Sequence, residues 1–336
     1  MIGGMDTRQA AHILDTVLPQ FLGPVHPLLA DGSLQEIMVN RPDDIWIERA
    51  GRLTRTDLAL DPVSVRSAIV TLGRLDNKDV RENTADAIID MRLDGIRVAA
   101  ALEPTALRGP SLCLRKHSRL EIPLERYAQT EAPARDTADD EALYAPWAPD
   151  QLVDRLQRIV RERGNLLISG GTSTGKSTFM NALLASIPSE ERVLVLEDTP
   201  ELRLPALNQV QLQSNAQAGI TMRDLLKLAL RYRPDRIVVG EVRGAESFDL
   251  LQAMNTGHDG GAASIHANSA VQALARLETL VLTANTGWPL EAVRHAIGST
   301  INWVIHMARH RGCRVVAEVL AVRGYGASGY VSTRVY

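Results

Sequence analysis

Leu166–Thr178, LLISGGTSTGKST, decides how the rest of the chain is read. It opens on a short apolar run, Leu166, Leu167 and Ile168, of the kind that forms a buried parallel strand. It then breaks into Gly170, Gly171, Thr172, Ser173, Thr174, Gly175, Lys176, Ser177 and Thr178, which contains the phosphate-binding pattern G-x-x-x-x-G-K-S. A glycine-rich turn lets successive backbone N–H groups converge on phosphate oxygens, while the helix that follows points its positive end at them. In this pattern Lys176 reaches the β- and γ-phosphates and the Ser177 hydroxyl ligates Mg²⁺. A Gly/Ser/Thr surface loop would share the composition, but it would not sit between an apolar strand and a helix.

Working outward, 336 residues suit two domains, and 45% hydrophobic residues are ample for two cores. The net charge of −3 gives no domain-wide basic excess for neutralising nucleic-acid phosphates, so there is no strong nucleic-acid signal. The two cysteines, Cys113 and Cys313, form no C-x-x-C pair that could hold zinc or shuttle electrons, and a reducing cytosol is the expected home. No run approaches the length needed to span a bilayer, so any membrane association is expected through partners or a surface.

Upstream of the loop, apolar residues at helical spacing predict a short helix from His12 to Phe21. Strands are expected at Ile37–Val39 and Ile45–Ile47 around a Pro/Asp turn, then a helix from Val63 to Leu75. Further strands are expected over Ala87–Met91, Ile96–Leu102 and Leu112–Arg115, which makes residues 1–128 an α+β domain with an antiparallel sheet. Residues 129–149 turn to Thr, Glu, Ala, Pro and Asp without a sustained apolar period and are expected as a linker. From there to residue 336, alternating strands and helices imply a mainly parallel sheet covered on both faces.

Three other polar stretches lie at expected strand ends, where open α/β sheets bind ligands. In LEDTPEL, Leu196–Leu202, acids including Glu201 follow an apolar strand, although an acidic strand end is ordinarily just a solvated turn. In IVVGEVRG, Ile237–Gly244, Glu241 occupies the place of a Walker B acid, which holds Mg²⁺ through water or polarises the attacking water. TGHDGGAASIHAN carries His258 and His266 around a Gly-rich turn, where a single histidine is as readily a core residue as a catalyst. Arg231, Arg233, Arg236 and Arg243 cluster around the Walker B strand, either as partners of the acids in LEDTPEL or as fingers into a neighbour's site.

Taken in order, these motifs resemble the secretion ATPases of bacterial type II secretion, type IV secretion and type IV pilus systems, and most of all the VirB-type and conjugal-transfer TrbB-type branch. EIMVNRPDDIWIERAGRL, DGIRVAAALEP and GPSLCLRK extend the resemblance over nearly the whole chain. Ser173 stands where that family usually has Gly, and Asp259 where it frequently has Pro. The resemblance implies an α/β chain whose C-terminal RecA-like P-loop ATPase domain, 150–336, follows the smaller N-terminal one. It implies ATP and Mg²⁺ as cofactors, a homohexamer, and secretion or conjugation machinery at the inner membrane as partner of a cytoplasmic, peripherally attached motor. Glu201 is the first choice to orient or deprotonate water, with Glu241 and Ser177 on the metal side and His266 beside them, although the two glutamates could exchange roles. Arg97 and Arg115 are expected to reach the bound nucleotide across the domain interface. A pilus-retraction motor, a RecA-like DNA translocase and a nucleotide-gated scaffold that barely hydrolyses ATP share parts of this pattern.

Overall fold

The computed structural model describes residues 16, 18–49, 51–75, 78–81, 84–93, 96–116, 143–311 and 313–336. Short helices α1 (Leu18–Leu22) and α2 (His26–Ala30) precede strands β1 (Leu34–Arg41), β2 (Asp44–Arg49) and β3 (Arg52–Arg55). Helix α3 (Pro62–Leu75) and strands β4 (Ile88–Leu93), β5 (Ile96–Ala101) and β6 (Ser111–Lys116) complete a six-stranded antiparallel sheet in the order β3-β2-β1-β6-β5-β4. Val65, Ala68, Ile69 and Leu72 recur at helical spacing along α3 and are buried, while the Asp61 carboxylate accepts from the Ser64 N–H at its start. Most of the helix expected over His12–Phe21 lies outside the described residues.

The second sheet has eight strands. After α4 (Leu152–Arg161) come β7 (Leu166–Gly170), α5 (Lys176–Leu184), β8 (Arg192–Glu197) and β9 (Asn208–Gln213). Helix α6 (Met222–Ala229), β10 (Arg236–Val239), α7 (Glu246–Asn255) and β11 (Ala262–Ile265) follow. The chain then runs through α8 (Ala270–Thr283), α9 (Leu290–Thr300), β12 (Trp303–His310), β13 (Cys313–Gly326) and β14 (Gly329–Arg334). The order is β14-β13-β12-β7-β11-β10-β8-β9, parallel from β12 through β9, with β13 and β14 antiparallel. Every residue of β7, β8, β10 and β11 is buried, as a parallel sheet covered on both faces requires.

Alternate residues of these strands serve different cores. Leu166, Ile168, Val193 and Val195 pack with Met180 and Leu183 of α5. Leu167, Leu194, Leu196 and Val239 join a cluster that runs through α6 to α9 and on into the six-stranded sheet at Ile37, Met38 and Leu112. The apolar cluster therefore runs continuously from one sheet to the other. Their junction is also polar. Arg192, fully buried at the start of β8, donates to the Asn40 side chain of β1, to Asn208 Oδ1 at 2.6 Å and to the Tyr232 carbonyl at 2.8 Å. Arg233 grips Glu48 of β2 through two bonds of 3.0 and 2.8 Å. Glu36, buried opposite Arg115 and accepting from the Cys113 thiol, has its carboxyl pushed up to about 7 by burial, against the pull of Arg115.

Of the stretch expected as a linker, residues 129–142 lie outside the described residues. Its last part, from Leu143 to Pro149, is anchored on the second sheet by three of its side chains. Leu143 and Trp147 are buried, Tyr144 stacks on Trp303 at 5.5 Å, and the Trp147 N–H donates to the Val335 carbonyl at 2.6 Å. Three aromatic or leucine side chains in seven residues carried that signal, diluted by the Ala, Pro and Asp around them.

Candidate functional site

Strand β7 ends between β12 and β11, and the phosphate loop leaves it there. Gly170 has φ 157°, and a side chain on it would collide with the Met307 carbonyl at 2.7 Å and the Thr174 hydroxyl at 2.5 Å. Gly175 caps α5 in the left-handed region, φ 91°, which a residue with a side chain adopts only under strain. The loop thus curls over the start of α5, whose first N–H groups have no partner within the helix. Lys176 folds back along it and donates to the carbonyls of Gly170 at 3.0 Å and Gly171 at 3.2 Å. Burial holds its ammonium below the ordinary lysine range, opposed by the nearby Glu241 carboxylate.

The acids come from strands on one flank of that loop. Glu197 ends β8, and its Oε1 accepts the N–H groups of Glu201 at 2.9 Å and Leu202 at 3.0 Å, which turns the following loop back toward α5. Burial raises the Glu197 carboxyl above its ordinary range, those two backbone bonds working against it, and its Oε2 is buried without a hydrogen bond. Glu201 accepts from the Ser177 hydroxyl at 2.5 Å. Glu241, two residues beyond β10, accepts from Arg243 at 2.8 Å through Oε2. Its other oxygen lies 2.9 Å from His266 Nε2 but out of line for a hydrogen bond, and is buried without one. On the far side of the same ring, His266 Nδ1 is 3.4 Å from the Lys176 ammonium, so the imidazole stands between the lysine and Glu241.

These groups open onto one cavity of about 430 Å³. Its walls include loop residues 172–178, Glu201, Glu241 and His266, all expected from the sequence, while Gly170 and Gly171 lie behind the loop and offer their carbonyls to Lys176. Arg97 and Arg115 are not among its walls. Arg97 is held by Asp90 through two bonds of 3.0 Å, and Arg115 sits across from it on β6, both in the six-stranded sheet. His258 is also elsewhere, its Nδ1 3.3 Å from the Ala253 carbonyl.

The four arginines around β10 divide. Arg236 is fully buried and gives two bonds, 2.5 and 3.0 Å, to Glu191, which lies outside LEDTPEL; that burial removes it as a finger into a neighbour. Arg233 joins the sheets through Glu48, and Arg231 lies 3.3 Å from Asp90. Arg243 alone of the four lines the cavity, paired with Glu241 and 3.6 Å from Asp198.

Of the other walls, Asp198 and Thr199 lie within LEDTPEL and Gly240 within IVVGEVRG, and three more have no role in the sequence reading: Glu197, Ser264 and Arg314. Glu197 was legible as the first acid after an apolar strand. Ser264, whose hydroxyl donates to the Gly240 carbonyl at 2.6 Å, and Arg314 of β13 gave no signal, because what places them is a strand pairing across distant sequence.

A family model for type II/IV secretion system proteins matches residues 20–329. The putative conjugal transfer protein Rv3659c of Mycobacterium tuberculosis (strain ATCC 25618 / H37Rv) is 34% identical over 343 residues, covering 96% of this chain and 90% of that protein. The conjugal transfer protein TrbB of Rhizobium radiobacter is 31% identical over 90% of this chain and 88% of its own length. Among solved structures, the VirB11 ATPase from the Brucella suis type IV secretion system, in complex with sulphate, superposes with a TM-score of 0.83 at 27% identity, over 93% of this chain and 96% of that one. Motif order, fold and overall similarity agree, and the chain belongs to the type II/IV secretion system family, among its VirB11- and TrbB-type ATPases.

Proposed function

We propose that this chain is a Mg²⁺-dependent ATP hydrolase that works as a homohexameric ring and energises conjugative type IV secretion, by pilus assembly or by substrate transfer. In this reading residues 150–336 are a RecA-like P-loop domain, 1–128 its α+β companion, and the ring is a cytoplasmic motor attached peripherally to inner-membrane machinery. No helix among the described residues is long and apolar enough to cross a membrane, which suits attachment through partners. The observation that carries the reading is the convergence of Lys176, Ser177, Glu201, Glu241 and His266 on a single cavity at the carboxyl ends of parallel strands.

The residues present fit Mg²⁺. Ser177 and Glu241 offer hard oxygens, and Glu241 Oε1 is buried without a partner. Among the described residues no group of three or more His, Cys, Asp or Glu side chains could hold a metal, which suits an ion that retains waters and borrows phosphate oxygens. When bound, Mg²⁺ would supply positive charge against that of the phosphates. Lys176 would leave the carbonyls of Gly170 and Gly171 for the β- and γ-phosphates, a charge-assisted bond replacing two neutral acceptors. Ser177 would exchange Glu201 for the metal, which frees the Glu201 carboxylate to orient or deprotonate water. His266, between Lys176 and Glu241, would hold both in register. Arg97 and Arg115 would make their phosphate contacts only when the two sheets close further, Arg97 giving up Asp90 to do so.

The test is Lys176→Ala. Turnover of ATP should fall by at least about a hundredfold, the loss expected when one preorganised cation facing the reacting phosphate is removed, with the thermal midpoint unchanged. Wild-type turnover in a folded Lys176→Ala protein would sink the proposal.

A further inference from the structure

The cavity has a second flank. All of its acids, with Arg243 and His266, stand on or after β8, β10 and β11, on one side of the phosphate loop. On the other side runs β12, paired with β7 only as far as Met307 and Gly170. Beyond that point β12 continues to His310 and returns as β13, with Arg309 opposite Arg314 and His310 opposite Cys313, so the hairpin overhangs the end of the sheet. Arg314 stands on this overhang, and its side chain lies across the phosphate loop.

The contact is specific to the loop glycine. A Cβ on Gly175 would come within 2.7 Å of Arg314 Cδ, 3.4 Å of its Nε and 3.6 Å of its Cγ. Gly175 is glycine for its left-handed φ, and the Arg314 stem lies in the space that the missing side chain leaves open. The guanidinium lines the cavity, is exposed, and forms no hydrogen bond or ion pair among the described residues. Arg243, the other arginine there, is already paired with Glu241 and Asp198. Lys176 faces Glu241 and His266. Arg314 is thus a cation held over an expected phosphate track, with no acid of its own and the loop between it and the reacting side.

We propose that Arg314 is the residue of this chain that grips the α-phosphate end of the nucleotide, donating its N–H groups to phosphate oxygens that take no part in cleavage. This rests on the phosphate-loop reading above and adds a second, non-reacting anchor to it. Guanidinium suits the task, being permanently charged and able to present two parallel donors to one phosphate. Because ATP and ADP share this end, Arg314 contributes equally to both complexes and to the transition state. It is uniform binding, which sets KM and product affinity and leaves kcat alone.

The experiment measures the Kd of fluorescent N-methylanthraniloyl derivatives of ATP and ADP with the full chain, as wild type, Arg314→Ala, Arg314→Lys and Lys176→Ala. Arg314→Ala should weaken ATP and ADP by the same factor, about tenfold, as for loss of one charge-assisted contact, with kcat at saturating ATP unchanged. Arg314→Lys should recover part of the loss. Wild-type ADP affinity in Arg314→Ala, alongside weakened binding in Lys176→Ala, would overturn the assignment; so would a loss confined to ATP, since that would put Arg314 at the γ-phosphate. Wild-type affinity in Lys176→Ala is a different failure, that of the phosphate loop itself.

Discussion

The cavity and the buried junction between the two sheets are built from the same residue types, yet they hold them in opposite conditions. At the junction Arg192, fully buried, binds Asn40, Asn208 and the Tyr232 carbonyl, and the half-buried Arg233 binds Glu48. In the cavity the partners are provisional. Lys176 rests on two backbone carbonyls, Ser177 on Glu201, Glu241 keeps one oxygen unbonded and Arg314 has no partner among the described residues. A polar group in the open cavity can exchange its present partner for a phosphate or a metal; a buried group such as Arg192, enclosed among fixed oxygen acceptors, serves stability. Substitutions should therefore damage chemistry in the first region and folding in the second.

The largest separation should come from the acids. Glu201→Gln and Glu241→Gln keep the side-chain shape and remove the base or metal ligand, so each should lose about 10²–10⁴-fold in turnover while nucleotide affinity and unfolding midpoint stay near wild type. Loss of nucleotide binding in both, with no selective loss of chemistry, would erase the contrast. Next, Arg192→Ala should leave affinity intact but lower the free energy of unfolding in urea by about 2–6 kcal/mol, roughly 1–3 for each of the buried Asn40 and Tyr232 oxygens left without a donor. A wild-type urea midpoint would show that the junction is not what holds the sheets together.

The smallest effect is one of pH. Glu36 is protonated up to about pH 7 in the folded chain but near 4.5 when unfolded. The folded state therefore binds more protons between those values, and stability falls as pH rises from 4.5 through 7, by about 3 kcal/mol in all. Glu36→Gln cannot ionise, so its urea midpoint should change less over that window and exceed wild type at pH 8. Parallel curves for the two proteins would place the titrating group elsewhere.

Most of the second sheet was legible because its signals are local. Four apolar strands each end in a polar motif within a few residues, and the Thr221–Asp224 capping box marks the start of α6. Strand β9, NQVQLQ, was missed although Val210 and Leu212 alternate with polar residues, because Asn208 and Gln209 read as loop. Both are buried, Asn208 against Arg192 and Gln209 with its amide on the carbonyls of Leu204 and Ala206. The short edge strands β3 and β14 escaped for a related reason: exposed edges carry charge and glycine instead of an apolar run. In the cavity, the contiguous loop and the strand-end acids could be found, whereas Arg314 could not, since its only link to Gly175 is a hairpin 139 positions along the chain. Arg97 and Arg115 were drawn from resemblance and lie apart from the cavity in this conformation, where Asp90 satisfies Arg97 more closely than any group across the junction.

Strand β8 has one more consequence, a mechanical one. It begins at Arg192, fastened into the junction, and ends at Glu197, whose carboxylate steers the loop bearing Glu201. Bonded on one side to β10 and on the other to β9, it can neither stretch nor buckle over its six residues, a rod of about 16 Å. The strand thus ties the junction to the loop bearing Glu201 by a single straight element.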